Sequence, residues 1–78
     1  MSSCVLAIDP GRDKCGVAVL ASDGRVLVQR VVPTAELDAA VGELIQSYAP
    51  TVIMGDGTTS ADAKKRVEAL GVPVLLVD

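Results

Sequence analysis

Histidine, tryptophan and phenylalanine are absent from these 78 residues, and Tyr48 is the sole aromatic side chain. Without His the chain lacks the usual general base and the commonest transition-metal ligand. Without more rings its core has to be assembled from Val, Leu, Ile and Ala. There are two cysteines, Cys4 and Cys15, and their spacing is that of neither a metal nor a redox motif. Placed at opposite ends of two neighbouring strands they sit roughly 16 Å apart, out of disulfide reach. They read as reduced thiols of a cytoplasmic protein. No apolar run approaches the ~20 residues of a membrane span, so no membrane partner is expected. The start, Met1 to Cys4, lacks the basic residues of a signal peptide, so nothing suggests export. The net charge is −3. The basic footprint of a typical nucleic-acid-binding domain is missing, and the chain alone should bind polyanions weakly. An acidic site can still reach phosphates through metal ions.

What is present is apolar and patterned. Half of the residues are hydrophobic and 22% are charged, which excludes intrinsic disorder. Residues 1–78 read as one small domain, and a chain this short buries only about 60% of its unfolded surface. Val5 to Ile8 is continuously apolar, as for a strand buried on both faces, and ends at Asp9. Pro10 to Lys14 is turn chemistry. A second strand runs from Cys15 to Ala21, where Gly16 predicts close backbone approach or a bulge. Asp23-Gly24 between two apolar runs predicts a hairpin. The third strand, Arg25 to Val32, alternates apolar and polar residues as a sheet edge does. The period then changes to 3.6. Thr34 is placed as an N-cap, and Leu37, Val41, Leu44, Ile45 and Tyr48 form one apolar stripe, which Ala49-Pro50 ends. A fourth strand covers Thr51 to Met54. Thr59 and Asp62 resemble a capping box for a second helix running to about Leu70, with Ala63, Val67 and Leu70 inward. Gly71 caps it, and Val74 to Val77 is the last strand.

The order β-β-β-α-β-α-β implies an α/β fold with a mixed five-stranded sheet of order 3-2-1-4-5. Strand 2 is antiparallel to the rest, and right-handed crossovers put both helices on one face. The other face is left uncovered. A symmetric dimer or higher assembly closing that apolar face, or exchange of a terminal element between chains, is the expected result.

Strands 1, 4 and 5 each end at an acid: Asp9, Asp56 and Asp78. Ligands of such open sheets bind at that edge, and clustered carboxylates there suit Mg²⁺ or Mn²⁺. Lys14 is placed near a phosphate. The run Gly55 to Ser60, including Gly57, Thr58 and Thr59, opens a helix whose N–H groups can hold an anion.

Leu6 to Gly11, followed by Lys14 to Val19, resembles the opening of the YqgF (RuvX-like) branch of ribonuclease H-like nucleases. Ile53 to Ser60 is similar to a Gly-Asn/Asp-Gly-Thr loop in that family, and Pro73 to Asp78 is similar to its fifth strand. The resemblance implies a ribonuclease H-like fold and metal-dependent phosphodiester cleavage, in ribosomal RNA precursor processing or Holliday-junction resolution. It makes RNA or branched DNA the partner. It makes Asp9 a catalytic ligand of Mg²⁺ or Mn²⁺, with Asp56 and Asp78 as the further catalytic candidates. That family continues past the fifth strand with more acids and a covering segment, so this shorter chain is expected to hold metal weakly and cleave little or nothing. Two other readings stand beside it. The actin and sugar-kinase superfamily opens with a similar Asp-x-Gly hairpin that grips phosphates, which implies a nucleotide-phosphate-binding module. The uncovered face alone implies a non-catalytic, dimerising interaction domain.

Overall fold

A computed structural model of the chain describes residues 3–57 and 59–77. The strands are β1 (Val5–Asp9), β2 (Lys14–Leu20), β3 (Val26–Pro33), β4 (Thr51–Gly55) and β5 (Val74–Val77). The helices are α1 (Leu37–Tyr48), entered through one 3₁₀ turn over Thr34–Glu36, and α2 (Ser60–Glu68). The sheet order is β3-β2-β1-β4-β5. β1 and β2 pair antiparallel, as do β2 and β3, while β1–β4 and β4–β5 are parallel. This is the ribonuclease H-like α/β sheet that the order of elements implies.

Strand alternation decides what is core. Leu6, Ile8, Cys15, Val17, Val19, Val52, Met54 and Val74 point to one face and are buried. They meet Leu37, Val41 and Leu44 of α1 and Ala63 and Val67 of α2. Ile45 and Tyr48 complete the α1 stripe at the edge of this cluster. The opposite face carries Val5, Ala7, Ala18 and Ile53, all half-buried. β1 and β4 are therefore shielded fully on one side only, and β5 less than that, because Leu75, Leu76 and Val77 are all exposed.

Several local expectations are corrected. The β2–β3 hairpin is wider than a two-residue Asp-Gly turn: the Gly24 N–H donates to Ala21 O at 2.9 Å and the Ala21 N–H to Arg25 O at 2.8 Å. Gly24 has φ +89°, the left-handed residue of a three-residue loop. The register shift falls between Val19 and Leu20, so Gly16 is not a bulge; it faces Asp9 across the β1–β2 pair. Pro33 closes β3 without cost, because β3 is an edge. Thr34 does not cap α1. It opens the 3₁₀ turn, and Glu36 stands at the α1 cap position with no side-chain bond. The Thr59/Asp62 capping box does not form either. Ser60, the first residue of α2 and 3% exposed, instead ties the helix start to the preceding loop, its hydroxyl donating to Gly57 O at 2.7 Å. Leu70 is exposed. The last turn tightens, with the Leu70 N–H reaching Val67 O at 3.0 Å, and an i→i+3 turn rotates Leu70 off the inward stripe. Cys4 and Cys15 are free and buried.

Candidate functional site

The carboxyl ends of β1, β4 and β5 share one edge with the start of β2, because the first three are parallel and β2 is not. Asp9 ends β1 there and is exposed, and among the described residues it takes part in no salt bridge. Pro10 to Asp13 then form a tight turn into β2. At Gly11 a Cβ would stand 2.2 Å from the Lys14 carbonyl oxygen, so only glycine fits.

That turn is anchored from a distance. Thr34 Oγ1 donates to Gly11 O at 2.9 Å, and the Thr34 N–H donates to Asp13 O at 2.9 Å. The buried Cys15 Sγ lies 3.4 Å from Thr34 Oγ1. On its other side, Thr34 O accepts from Arg66 Nη2 of α2 at 2.8 Å. Arg66 also pairs with Asp38 of α1, at 2.6 Å. Thr34 and Arg66 thus together tie the turn, the 3₁₀ segment and both helices. Two clefts flank the turn. A helix-side cleft of about 300 Å³ lies between the turn and α2, lined by Gly11, Arg12, Thr34, Thr59, Asp62 and Arg66 among others. A cleft of about 320 Å³ on the open sheet face is lined by Asp9, Ala7, Gly16, Ala18 and Val31 among others.

The other candidates separate by position. Asp56 follows β4 and is exposed. Its N–H donates to Val77 O at 2.8 Å, and its Oδ1 lies 3.2 Å from Ser60 Oγ, so its carboxylate helps shape the loop. Gly57 is exposed in that loop, and Thr59 reaches the helix-side cleft. Lys14 is exposed at the start of β2 opposite Pro33 and lines neither cleft. Thr58 and Asp78 lie outside the described residues. Among the described residues, no group of three or more His, Cys, Asp or Glu side chains could hold a metal ion. Also among them, no helix is long and apolar enough to cross a membrane. Sequence reading missed Arg12, Thr34 and Arg66 as lining of one cleft. The turn chemistry around Arg12 was its one local signal.

No protein-family model and no curated protein matches this chain. Solved structures do. One, of the Aquifex aeolicus PPX-GPPA enzyme, superposes with a TM-score of 0.60 at 13% identity, over 99% of this chain and 36% of that one. A second, an Aquifex aeolicus member of the Ppx/GppA protein family, gives 0.61 at 13% identity, over 99% and 35%. The chain has the fold of a Ppx/GppA segment. It spans about a third of the length of those proteins. The resemblance to the YqgF/RuvX nucleases is thereby overturned, since the structural neighbours are Ppx/GppA proteins of the actin-like fold. The nuclease, RNA-processing and ribosome-biogenesis roles that rested on it fall with it. The reason is physical. Gly11 answers the steric demand of the β1–β2 turn, a demand of the backbone that holds whatever the ligand. Such a fold hosts many functions, and the motif reports the fold.

Proposed function

We propose that the chain is a phosphate-binding module of the actin-like kind, gripping the phosphate chain of a nucleotide at the carboxyl edge of the sheet. The observation that carries this reading is the Asp9 to Lys14 turn: tight at Gly11, held by Thr34 and set beside an exposed carboxylate. A turn that admits no Cβ lets backbone approach a phosphate closely. The Gly55 to Ser60 loop leads into α2 and brings the positive end of that helix's dipole towards the same edge, although its Asp56 and Ser60 N–H groups are engaged on Val77 O and Gly57 O. The fold likeness to the Ppx/GppA proteins supports the same reading.

Mg²⁺ or Mn²⁺ fits this site in one way. Asp9 and Asp56 do not belong to a three-ligand group among the described residues, so a cage made of protein alone is not the arrangement. Mg²⁺ commonly takes one or two carboxylates plus phosphate oxygens and water. Asp9 would hold an ion that arrives with the phosphates, and the ion would neutralise their charge. Arg12, on the helix-side cleft, supplies a positive group near the same turn, and Thr59 a hydroxyl.

Calorimetric titration with ATP, with and without Mg²⁺, tests the proposal, with inorganic tripolyphosphate as a second ligand. Binding that needs Mg²⁺ and is weakened at least about tenfold by Asp9→Asn, roughly 1.4 kcal/mol, is the expected outcome. Tripolyphosphate binding as well as ATP would assign the affinity to the phosphate chain rather than the base. Binding of neither ligand, or binding indifferent to Asp9, would overturn it.

A further inference from the structure

Thr34 holds two carbonyls of one turn. Its Oγ1 donates to Gly11 O at 2.9 Å, and its N–H donates to Asp13 O at 2.9 Å. In a trans peptide the N–H lies opposite the C=O. The two bonds therefore direct the N–H groups of Arg12 and Lys14 away from Thr34. Among the described residues the Arg12 N–H donates to no backbone carbonyl.

Thr34 is itself held from behind. Its carbonyl oxygen accepts the Leu37 N–H, which closes the 3₁₀ turn, and Arg66 Nη2 at 2.8 Å. Arg66 Nε in turn donates to Asp38 Oδ1 at 2.7 Å. The Leu37 bond shapes the 3₁₀ turn by itself. The Arg66 bond sets that turn, and with it the β1–β2 turn, against α2. Thr59, Asp62, Ala63 and Arg66 recur at three- and four-residue spacing, so one stripe of α2 lines the helix-side cleft with Gly11 and Arg12. Arg66 stands seven residues past Thr59, about 10 Å along the helix, and its head group is engaged on Thr34 and Asp38.

We infer that Arg66 is a positioning residue for phosphate. Acting through Thr34, it sets the direction of the Arg12 N–H and the spacing between the β1–β2 turn and the start of α2. The inference rests on the phosphate-binding reading above and adds to it a side chain anchored away from the sheet edge. Lysine is no substitute, because a lone ammonium lacks the planar fork that holds Thr34 O and Asp38 in one fixed geometry.

Arg66→Met removes both bonds and keeps an unbranched chain. It is compared with the wild type twice, with folding checked by circular dichroism: by amide-resolved nuclear magnetic resonance without ligand, and by calorimetric titration with Mg²⁺ and tripolyphosphate. The ligand-free amides of Arg12 and Lys14 should shift, and affinity should fall about fivefold, the worth of one hydrogen bond. Thr34→Ser keeps both donors and should match the wild type in both readings. Arg66→Lys should fall between. An Arg66 that only stabilised the fold would move neither reading in folded protein. If Arg66→Met does not fold, Asp38→Ala releases the guanidinium from a half-exposed partner and should shift the same amides by less. Amides at their wild-type positions, or unchanged affinity in a folded variant, overturn the inference even where the wild type binds phosphate. A wild-type chain that binds no tripolyphosphate overturns the phosphate reading and the role of Arg66 in it, while the ligand-free shifts still show whether Arg66 sets the turn.

Discussion

Thr34 Oγ1 donates to the carbonyl oxygen of Gly11 at 2.9 Å, across 23 positions of sequence. This bond reaches from the first turn after β3 back to the turn between β1 and β2. It fixes the segment proposed to meet phosphate to the part of the fold where the helices join. Replacing Thr34 with Val keeps the shape and removes the donor. The Gly11 carbonyl then loses a partner in a part-buried setting, at a cost of about 1–2 kcal/mol. Urea unfolding should show that loss, and an unchanged midpoint would mean the turn stands without Thr34.

Gly11→Ala is the harsher change. Its Cβ would meet Lys14 O at 2.2 Å, and that atom is backbone. The turn has to open, costing about 1–3 kcal/mol, typical of forced overpacking. Phosphate binding should fall more than stability does, because the clash is with the turn's own backbone. Equal loss of both would point to general unfolding.

Arg66 joins two structural ties on one side chain, to Thr34 O at 2.8 Å and to Asp38 Oδ1 at 2.6 Å. Its side chain is 28% exposed and that of Asp38 is 50% exposed, so solvent screens the ion pair and little is ascribed to charge. Arg66→Ala should cost about 1 kcal/mol, chiefly through the Thr34 carbonyl. That cost should persist in high salt. A loss that disappears with salt would assign it to the pair instead.

Ala49 ends α1 in the left-handed region at φ +47°, with its N–H on Ile45 O at 2.8 Å. Glycine is the usual residue for that cap. Ala49→Gly should therefore raise thermal stability, by about 0.5–1 kcal/mol. A decrease would mean that the exposed methyl group makes contacts worth more than the strain.

The thiols give a check on the core. Cys4 is 7% exposed and Cys15 is 1% exposed. Buried thiols are inert to reagents that need the thiolate in contact with solvent. Both should react with a disulfide reagent only as fast as the chain opens. Fast reaction of Cys15 in the folded protein would show the Thr34 anchor to be loose.

The strands were legible in the sequence because each depends on its own pattern: the apolar run at Val5 to Ile8, and the alternation around Gln29 and Arg30. The sheet order followed from hairpins and crossover handedness. What was not legible was long-range. Thr34 looks like a local cap, and Ser60 like one more loop residue, since neither Gly11 nor Arg66 is near Thr34 in sequence. The Ser60 bond to Gly57 O and the outward turn of Leu70 depend on how the ends of α2 wind. The family resemblance fails for a related reason: it rests on short runs around Asp9, Gly11 and Gly16, and Gly11 is fixed by the turn's backbone, which reports the fold and not the function it hosts.

The central claim is that phosphates sit at the carboxyl edge beside Asp9. At 8.0 kDa the chain suits amide-resolved nuclear magnetic resonance. Titrating Mg²⁺ and ATP into the isotope-labelled protein should shift the amides of Asp9, Gly11, Arg12 and Asp13 and those of Asp56, Gly57 and Thr59, and leave α1 unmoved. Shifts confined elsewhere, or none at millimolar ligand, would contradict the account.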